Sequence, residues 1–588
     1  MTSIRRVKSL GKIGESKTVR FGGKISDALE KLKQGDTSNY HLVLQQLRDP
    51  NIKSSQIMDW FQEVTSLSHL LDQDQNEIVN ALLKVRWMER EAEVVSTFRV
   101  FVVALVSANS VHLRRVIKSL TQNLIPDSKS NATQSNHPKV TMEDIFEQIH
   151  IVFKEILRII PRASEPMLAV FSQGFPFIRK PNDSLIWYVK NLLFVTSYQP
   201  NMRSAILELV IKNLIDLDAV THRHEIEMME NIEEIDDDEE ISLFQMDEEM
   251  QENEEEIKMK HPLANKLDCA MHILFEYFYQ VSYREGELQL QETRKLFREI
   301  VHIFDTAIMP VHQLIHVQFV VFYICSLKQS FVESFIEHCW QKVVNPNMPT
   351  IVRQTYICYI ASLLARATYI PLSTVTACID LMVGWAHSYL REVTEFISPD
   401  VYHCDITRHG TFYSICQATF YVIIFKHEDI LKSKLGHKYF HTLNLQHLIV
   451  SPLNPLKACL SSVVSLFTST MRQHQLVYCD TIVERNNRQM LPVVGMATLS
   501  VKNPLGSFFP FDPYLLKRSS TFIHPIYKVW EGRSPHCEDE DNDDPNKENI
   551  EDQGLFDEDD SGIKGSFSNQ VPPSPLSPGF QHVTPSPY

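Results

Sequence analysis

Glycine is scarce in this chain, with 17 residues in a sequence of 588, less than half of its usual share of about 7%. Tight β-turns and phosphate-binding loops depend on glycine, because it adopts positive φ without strain. The sequence also lacks the nucleotide-binding patterns GxxxxGK[ST] and GxGxxG, the zinc-protease pattern HExxH and the nucleophile pattern GxSxG. These absences predict a mainly helical protein that is not an enzyme and binds no cofactor.

The ten cysteines do not indicate a disulfide framework or a zinc site. The first is Cys269 and none follows a CxxC spacing, which is typical of reduced, buried thiols in a nuclear or cytosolic protein. Residues 403–409, with two histidines and a cysteine, and the pair His437 and His441 have local spacings that suit metal ligands. Neither group has a second half to complete the four ligands that zinc requires. We therefore predict that no metal is bound.

The sequence has no segment that is typical of a secretory signal or a membrane span. The N-terminal residues MTSIRRVKSLGKIGESK are basic and polar, whereas a signal peptide has an apolar core of about 7–15 residues. The uncharged stretch 307–327 contains Pro310, His312 and Gln313, and a spanning helix needs about 20 predominantly apolar residues. We predict a soluble protein without membrane contact.

The net charge of −16 is concentrated in two segments. Residues 225–256 contain 17 acidic side chains and neither lysine nor arginine, and residues 534–588 contain 13 acidic side chains against two lysines. The rest of the chain is net positive, and residues 1–24 alone carry seven basic side chains against one acidic. The low overall pI therefore does not argue against a polymerase or a nucleic acid as a partner.

Apolar residues recur at helical spacing along most of the chain. Between Thr141 and Ile160 they fall at i, i+3/i+4 and i+7 on one stripe that ends at Pro161, which is typical of a helix packed on a core. Later helices are expected at about 262–283, 291–308, 313–328, 331–343, 349–367, 371–391, 410–427 and 454–472. Paired helices at a spacing of roughly 40 residues are typical of HEAT-type arrays. We predict an all-α, HEAT-like helical-repeat superhelix, with a compact helical bundle as the alternative.

The predicted organisation has six segments. They are a basic flexible arm (1–24), N-terminal helical repeats (25–220), an acidic disordered insert (221–260), C-terminal helical repeats (261–474), an irregular aromatic and proline-rich C-terminal cap (475–533), and an acidic, then Ser/Pro-rich disordered tail (534–588). The aromatic segment either covers the last repeat or docks a partner. The acidic insert is either a solvated loop or a decoy that competes with nucleic acid for a basic surface.

Two short patterns lie in segments that we predict to be disordered. In the tail, five hydroxyl side chains precede a proline, as proline-directed protein kinases require: Ser534, Ser574, Ser577, Thr584 and Ser586. Each phosphate there would add about −1.5 to −2 charges. In the arm, Lys17, Val19 and Phe21 fit the [K/R]-x-V-x-F pattern of protein phosphatase 1 ligands, which add a strand to a sheet edge. The competing interpretation is a basic arm for nuclear import or for contact with rRNA and DNA.

Six stretches carry a resemblance to one family. They are KTVRFGG (17–23), HPLANKLDCAMHILFEYF (261–278), LLARATYIPL (363–372), SPLNPLKACLSSVV (451–464), VERNNRQMLPVV (483–494) and NPLGSFFPFDPYLLKRSSTFIHPIYKVWE (503–531). Together they resemble the RNA polymerase I-specific transcription initiation factor family, also called TIF-IA, over most of residues 17–531. The polar insert at 127–139 is shorter and less acidic than the family pattern.

The resemblance implies a HEAT-repeat superhelix without enzymatic activity, located in the nucleus and nucleolus. It implies that the protein binds RNA polymerase I through its stalk subunits and bridges it to the promoter-bound, TBP-containing selectivity factor at ribosomal RNA genes. The rDNA promoter is a further candidate partner, and protein kinases would switch the bridge. The family docks through a serine-bearing face, for which Ser107, Ser110 and Ser119 are the candidates here. The alternative function is a helical-repeat adaptor for a phosphatase or a nuclear transport cargo.

Overall fold

The computed structural model describes residues 24–49, 52–72, 75–126, 141–231, 258–312, 314–394, 404–489, 505–506 and 508–530. Helices dominate these residues. Extended pairing within them is limited to the antiparallel strands β1 (Tyr283–Arg284) and β2 (Glu287–Leu288), with Tyr283 opposite Leu288, and one bridge between Ala367 and Tyr527. The all-α fold class is confirmed. The chain divides into two compact units, Met1–Asn213 and Leu214–Tyr588.

The helices of unit 1 stack in two rows. They are α1 (Ile25–Lys33), α2 (Ser38–Leu47), α3 (Ser54–Ser66), α4 (Asn76–Leu83), α5 (Ala92–Ala108), α6 (Leu113–Gln122), α7 (Met142–Ile159), α8 (Ser164–Gly174), α9 (Asn182–Tyr198) and the start of α10 (Arg203–Ala219). In one row α3, α5, α7 and α9 contact each other in that order, and in the other α2, α4, α6 and α8 do the same. This order is the helix-pair stacking that is typical of a repeat array.

Helix α7 shows how local sequence sets the bounds of a helix. The Asp144 N–H donates to the Thr141 hydroxyl at 3.2 Å, and the Thr141 N–H donates to the Asp144 carboxylate at 3.0 Å. This reciprocal capping box satisfies N–H groups that have no partner inside the helix. Phe153 and Ile156 of the apolar stripe are fully buried, and Pro161 begins the next turn. The prediction for 141–160 is confirmed.

Unit 2 is built around one central helix. Its helices are the end of α10, α11 (Arg223–Asn231), α12 (Pro262–Ser282), α13 (Leu290–Ile303), α14 (Phe319–Ser326), α15 (Gln329–Val344), α16 (Thr350–Arg366), α17 (Leu372–Thr394), α18 (Ile406–Leu431), α19 (Gly436–Thr442), α20 (Leu445–Ile449), α21 (Pro455–Ala458), α22 (Ser461–Gln473), α23 (Asp480–Gln489) and α24 (Ser520–Ile523). A π-helical turn, Phe304–Ile308, follows α13. Helix α18 contacts α16, α17 and α22, and every residue from His409 to Lys426 is buried.

Helix α11 lies inside the segment 221–260 that was predicted to be disordered, so the predicted start of that segment was wrong. Residues 223–231 are helical although the insert was expected to begin at 221, because Ile226 is buried and Arg223 pairs with Glu227 at 2.8 Å. The Lys260 N–H donates to the Glu230 carboxylate at 2.9 Å. Residues 230 and 260 on either side of the segment 232–257 therefore lie side by side, and that segment itself is outside the described residues.

Candidate functional site

Residues 505–506 and 508–530, which we call the strap, lie against helices of unit 2 from α12 to α18. Phe511 is fully buried and packs on Phe319 and Phe322 of α14, with ring centroids 5.3 and 5.0 Å away. Phe509 stacks on Tyr421 of α18. The aromatic side chains of the predicted cap therefore complete the core of unit 2.

Buried side chains hold the backbone of the strap. The Asp268 carboxylate accepts hydrogen bonds from the N–H groups of Arg518 and Ser519, both at 2.7 Å, and from the Ser519 hydroxyl. The Phe511 N–H donates to the hydroxyl of Ser362 on α16 at 2.9 Å. Buried backbone N–H groups need partners, and an irregular segment such as the strap finds them here in side chains of the helices.

Arg366, the last residue of α16, forms an ion pair with Asp512 of the strap. The two side chains are 1% and 3% exposed, and the guanidinium also donates to the Lys528 carbonyl at 3.1 Å. It lies 4.5 Å from the ring centroid of Phe425 and 5.3 Å from that of Tyr527, which adds cation–π attraction. Because a buried charge is tolerated only with a partner, this pair ties the strap to α16 and α18.

A second polar pair joins two further stretches of unit 2. The side-chain amides of Asn454 and Asn486 exchange hydrogen bonds of 2.7 and 3.2 Å, and both residues are buried. Asn454 has a φ of 47°, in the left-handed region that asparagine tolerates better than most residues. Described residues of five of the six stretches thus contact one another: Asp268 and Arg366 hold the strap, and Asn454 bonds to Asn486.

A buried carboxylate that the sequence analysis missed orders the loop before α14. Asp218 accepts from three consecutive backbone N–H groups, those of residues 315–317, at 2.9–3.1 Å, and faces His316 Nδ1 at 3.0 Å. Burial by itself would raise the pKa of Asp218, but the hydrogen bond and charge of His316 and the backbone N–H groups lower it. No local pattern around Asp218 points to a partner almost 100 residues away.

The three predicted docking serines fall in two different places of unit 1. Ser107 lies in the last turn of α5, Ser110 begins the 3-10 turn that follows, and both are exposed. Ser119, on α6, is half-buried, and its hydroxyl donates to the carbonyl of Leu83, the last residue of α4, at 2.9 Å. The structure therefore places Ser107 and Ser110 at one corner and Ser119 in the other row of helices.

Ser107 and Ser110 belong to an exposed and uncharged surface that we call the α5 corner. Its residues are Leu70, Ser107, Ser110 and Val111. The two apolar members are 48% and 47% exposed, and residues 100–113 contain no Lys, Arg, Asp or Glu. The corner is fixed because the side-chain amide of Asn109 donates to the carbonyl of Leu71 at 3.0 Å. Low charge and exposed apolar side chains are typical of the central part of a protein interface.

Other predicted sites lie outside the described residues. They are Lys17, Val19 and Phe21 of the arm, residues 403 and 232–257, and Ser534, Ser574, Ser577, Thr584 and Ser586 of the tail. Within the described part of the chain, no group of three or more His, Cys, Asp or Glu side chains is arranged to hold a metal. In that part, too, no single helix is long and apolar enough to cross a membrane, and α5 passes only together with the next helical segment, at a bend of 117°.

Comparisons with known proteins agree with the resemblance. The model of the family "RNA polymerase I specific transcription initiation factor RRN3" matches residues 16–535. The mouse RNA polymerase I-specific transcription initiation factor RRN3 is 38% identical over 96% of this chain and 88% of its own length, and the Schizosaccharomyces pombe factor rrn3 is 22% identical over 88% of each. The crystal structure of RNA polymerase I transcription initiation factor Rrn3 has the same fold, with a TM-score of 0.67 at 20% identity over 86% of this chain and 97% of that one. These relatives are transcription initiation factors, not enzymes. The chain belongs to the RRN3 family of RNA polymerase I-specific transcription initiation factors.

Proposed function

We propose that this protein binds RNA polymerase I through its stalk subunits and bridges it to the promoter-bound, TBP-containing selectivity factor at ribosomal RNA genes. Family membership supports this function, since the relatives are named for initiation by that polymerase. The protein then works in the nucleus, within the nucleolus, and the rDNA promoter lies close to the assembled bridge. Stacked helices suit this task because they present long surfaces on which large partners dock.

The α5 corner is the observation that carries the proposal. It combines two exposed apolar side chains with two exposed hydroxyls, and no charged side chain lies between Arg99 and Arg114. A partner that covers this corner removes little polar surface from water, so the desolvation cost of docking is small. We assign polymerase docking to this corner, with Ser107 and Ser110 as its hydroxyl-bearing members, and leave Ser119 out because its hydroxyl already bonds to Leu83.

Phosphorylation is the proposed switch. A phosphate on Ser107 or Ser110 brings about −1.5 to −2 charges onto a corner whose own four residues are uncharged. The charge either stays unpaired and buried against the polymerase or prevents docking, and both outcomes weaken binding. The five hydroxyl–proline sites of the tail remain separate predicted targets of protein kinases.

The test is a pull-down of purified RNA polymerase I by the full chain. We expect Ser107→Asp with Ser110→Asp to reduce recovery of the polymerase at least tenfold, and Ser107→Ala with Ser110→Ala to leave it within about twofold, because alanine adds no charge. Ser96→Asp is the matched control, since Ser96 is exposed on the same helix, three turns away.

Equal recovery with the Asp pair, the Ala pair and Ser96→Asp would refute docking at the α5 corner while leaving the bridging function open. A chain that recovers phosphatase or transport receptors but no polymerase subunits would favour the adaptor alternative. Crosslinking of the chain to the polymerase, read at the level of residues, then locates the surface that is used.

A further inference from the structure

A second exposed surface of unit 1 combines aromatic rings with positive charge. It lies on the C-terminal halves of α7 and α9, which are neighbours in one row, and we call it the α7/α9 face. Its residues are Lys154, Arg158, Lys190, Phe194 and Tyr198. The ring of Phe194 is 48% exposed, and the three cations are exposed as well.

Three of the five residues of this face are basic and none is acidic. Over residues 151–159 and 190–198 the acidic side chains amount to Glu155 alone, and Glu155 is half-buried in an ion pair with Arg99 at 2.6 Å. The Lys154 ammonium lies 5.0 Å from the ring centroid of Tyr198 and 5.7 Å from that of Phe194. Lys154 is therefore held beside the two rings by cation–π attraction.

A buried network fixes the position of the rings. The amide nitrogen of Asn191 donates to the Trp187 carbonyl at 2.8 Å, so its oxygen accepts from His150 Nε2 at 3.0 Å. His150 Nδ1 then accepts from the Tyr198 hydroxyl at 3.0 Å, and the His150 ring packs edge-on against Phe194 with centroids 4.7 Å apart. Burial lowers the pKa of His150 to about 4, so the network is neutral and intact at neutral pH.

We propose that the α7/α9 face binds a single-stranded nucleic acid, with one base stacked on Phe194 and the neighbouring phosphates bound by the three cations. Proteins that bind single strands without sequence preference use this combination of exposed rings and basic side chains. A duplex cannot use the whole face, because its bases are already stacked on one another and none is available to stack on Phe194. An acidic peptide pairs with the cations and likewise leaves the ring unused. This site is separate from the α5 corner and is independent of the polymerase-binding proposal.

The site is short, so the expected binding is weak and sensitive to salt. Residues 190–198 rise by about 12 Å along α9, which seats only a few nucleotides. Each contacted phosphate of a single strand contributes about 0.7 to the slope of log K against log salt. Stacking of one base contributes about 1–3 kcal/mol, so loss of the ring corresponds to a weakening of roughly tenfold or more.

The experiment is fluorescence anisotropy of labelled 12-nucleotide strands with the full chain, titrated at salt concentrations from about 50 to 200 mM. We expect Phe194→Ala to weaken binding about tenfold and Phe194→Tyr to restore it. We expect Lys154→Ala with Arg158→Ala to lower the salt slope by about 1.4, from two lost phosphate contacts. The experiment compares four ligands: an RNA strand, a DNA strand of the same sequence, a DNA duplex and a polyglutamate competitor.

Matched controls separate this face from exposed charges and exposed rings elsewhere in unit 1. Arg114→Ala with Lys118→Ala removes an exposed arginine and lysine at the same i, i+4 spacing from α6, in the other row. Phe177→Ala removes a ring of unit 1 that is 81% exposed. Both controls should bind as the unaltered chain does, and all variants should melt at the same temperature.

A preference for RNA over the DNA strand would assign a contact to the ribose hydroxyl, and equal binding would assign recognition to bases and phosphates alone; either result supports the proposal. Three results would overturn it. They are absence of binding by the unaltered chain, equal affinity of Phe194→Ala and Phe177→Ala, and equal binding of duplex and single strand regardless of residue 194. Displacement by polyglutamate as effective as by the unlabelled strand would likewise show that an acidic protein segment is the true ligand.

Discussion

Removal of the Asp512 carboxylate should release the strap from the helices of unit 2. In Asp512→Ala the Arg366 guanidinium stays buried without its counter-charge, and breaking a buried pair in this way costs about 3–5 kcal/mol. Arg366 keeps its hydrogen bond to the Lys528 carbonyl and the rings of Phe425 and Tyr527. We therefore expect the lower end of that range, about 3 kcal/mol.

Hydrogen exchange is the suitable assay, because the chain has two compact units and a single unfolding transition is not assured. The reporters are the Lys528 N–H, which donates to the Arg366 carbonyl at 2.7 Å, and the Thr368 N–H, which donates to the Ile526 carbonyl at 3.1 Å. One bond joins the strap to the end of α16, and the other joins it to the loop that follows α16. A loss of about 3 kcal/mol corresponds to roughly a hundredfold faster exchange at both amides. Amides in the core of unit 1, such as that of Ile156, should be unchanged.

The double variant Arg366→Met with Asp512→Leu tests the cause. It removes the charge together with its partner, so its strap amides should exchange more slowly than those of Asp512→Ala, since apolar replacement of a buried pair is often tolerated. If the double variant exchanged as fast as the single one, the uncompensated charge would not be the reason. If Asp512→Ala left strap exchange unaltered, the ion pair would not anchor the strap at all.

Further predictions concern pH and two glycines. Folding lowers the pKa of His150 from about 6.5 to about 4, so its contribution to stability is complete above pH 6.5 and declines as the pH falls toward 4. The loss is about 2 kcal/mol between pH 6.5 and 5, and thermal melts of His150→Phe should show a correspondingly flatter pH dependence. A methyl group on Gly436 would lie 2.3 Å from the Ile430 carbonyl oxygen and 2.8 Å from the Leu431 Cα, so Gly436→Ala should destabilise the protein by about 1–3 kcal/mol. Gly384→Ala, inside α17 and with no neighbour within 4 Å, should instead stabilise the protein by about 0.5–1 kcal/mol. Thermal melts check both predictions: the melting temperature should fall for Gly436→Ala and rise for Gly384→Ala.

The sequence predicts helices well where only one side of a helix is buried. The stripe and the proline of α7 placed it within one or two residues of Met142–Ile159. Helix α18 was expected at 410–427; it spans Ile406–Leu431 with a kink at His409, so the predicted start coincides with that kink. Its C-terminal end was not predicted, because a helix buried on all sides has no apolar stripe to mark its ends. The segment expected at 313–328 is helical only over Phe319–Ser326. Residues 315–317 give their N–H groups to Asp218, a partner that no local pattern reveals.

The candidate sites show the same contrast between features that local sequence predicts and features that depend on packing between distant helices. Ser107 and Ser110 were candidates because of the family resemblance; both are exposed at the end of α5, and their role in docking stays a prediction. The burial of the Ser119 hydroxyl depends on α4, whose packing on α6 the sequence does not specify. The α7/α9 face was missed for a related reason: Lys154 and Phe194 are 40 residues apart and meet only because α7 and α9 are neighbours.

The contacts of the strap show that the stretches that carry the family resemblance have a structural role in unit 2. Described residues from five of the six stretches that carry the resemblance pair with one another inside unit 2: Asp268 with Ser519, Arg366 with Asp512, and Asn454 with Asn486. Because these side chains are buried, they report how the unit is held together, and a partner does not reach them while the unit is folded. A substitution in the strap should therefore act on binding through loss of structure, with exchange at the strap amides and affinity changing together. Substitutions at the α5 corner or the α7/α9 face should change affinity alone, since exposed side chains contribute little to folding. That contrast separates the buried residues that hold unit 2 together from the exposed residues that we propose as contacts.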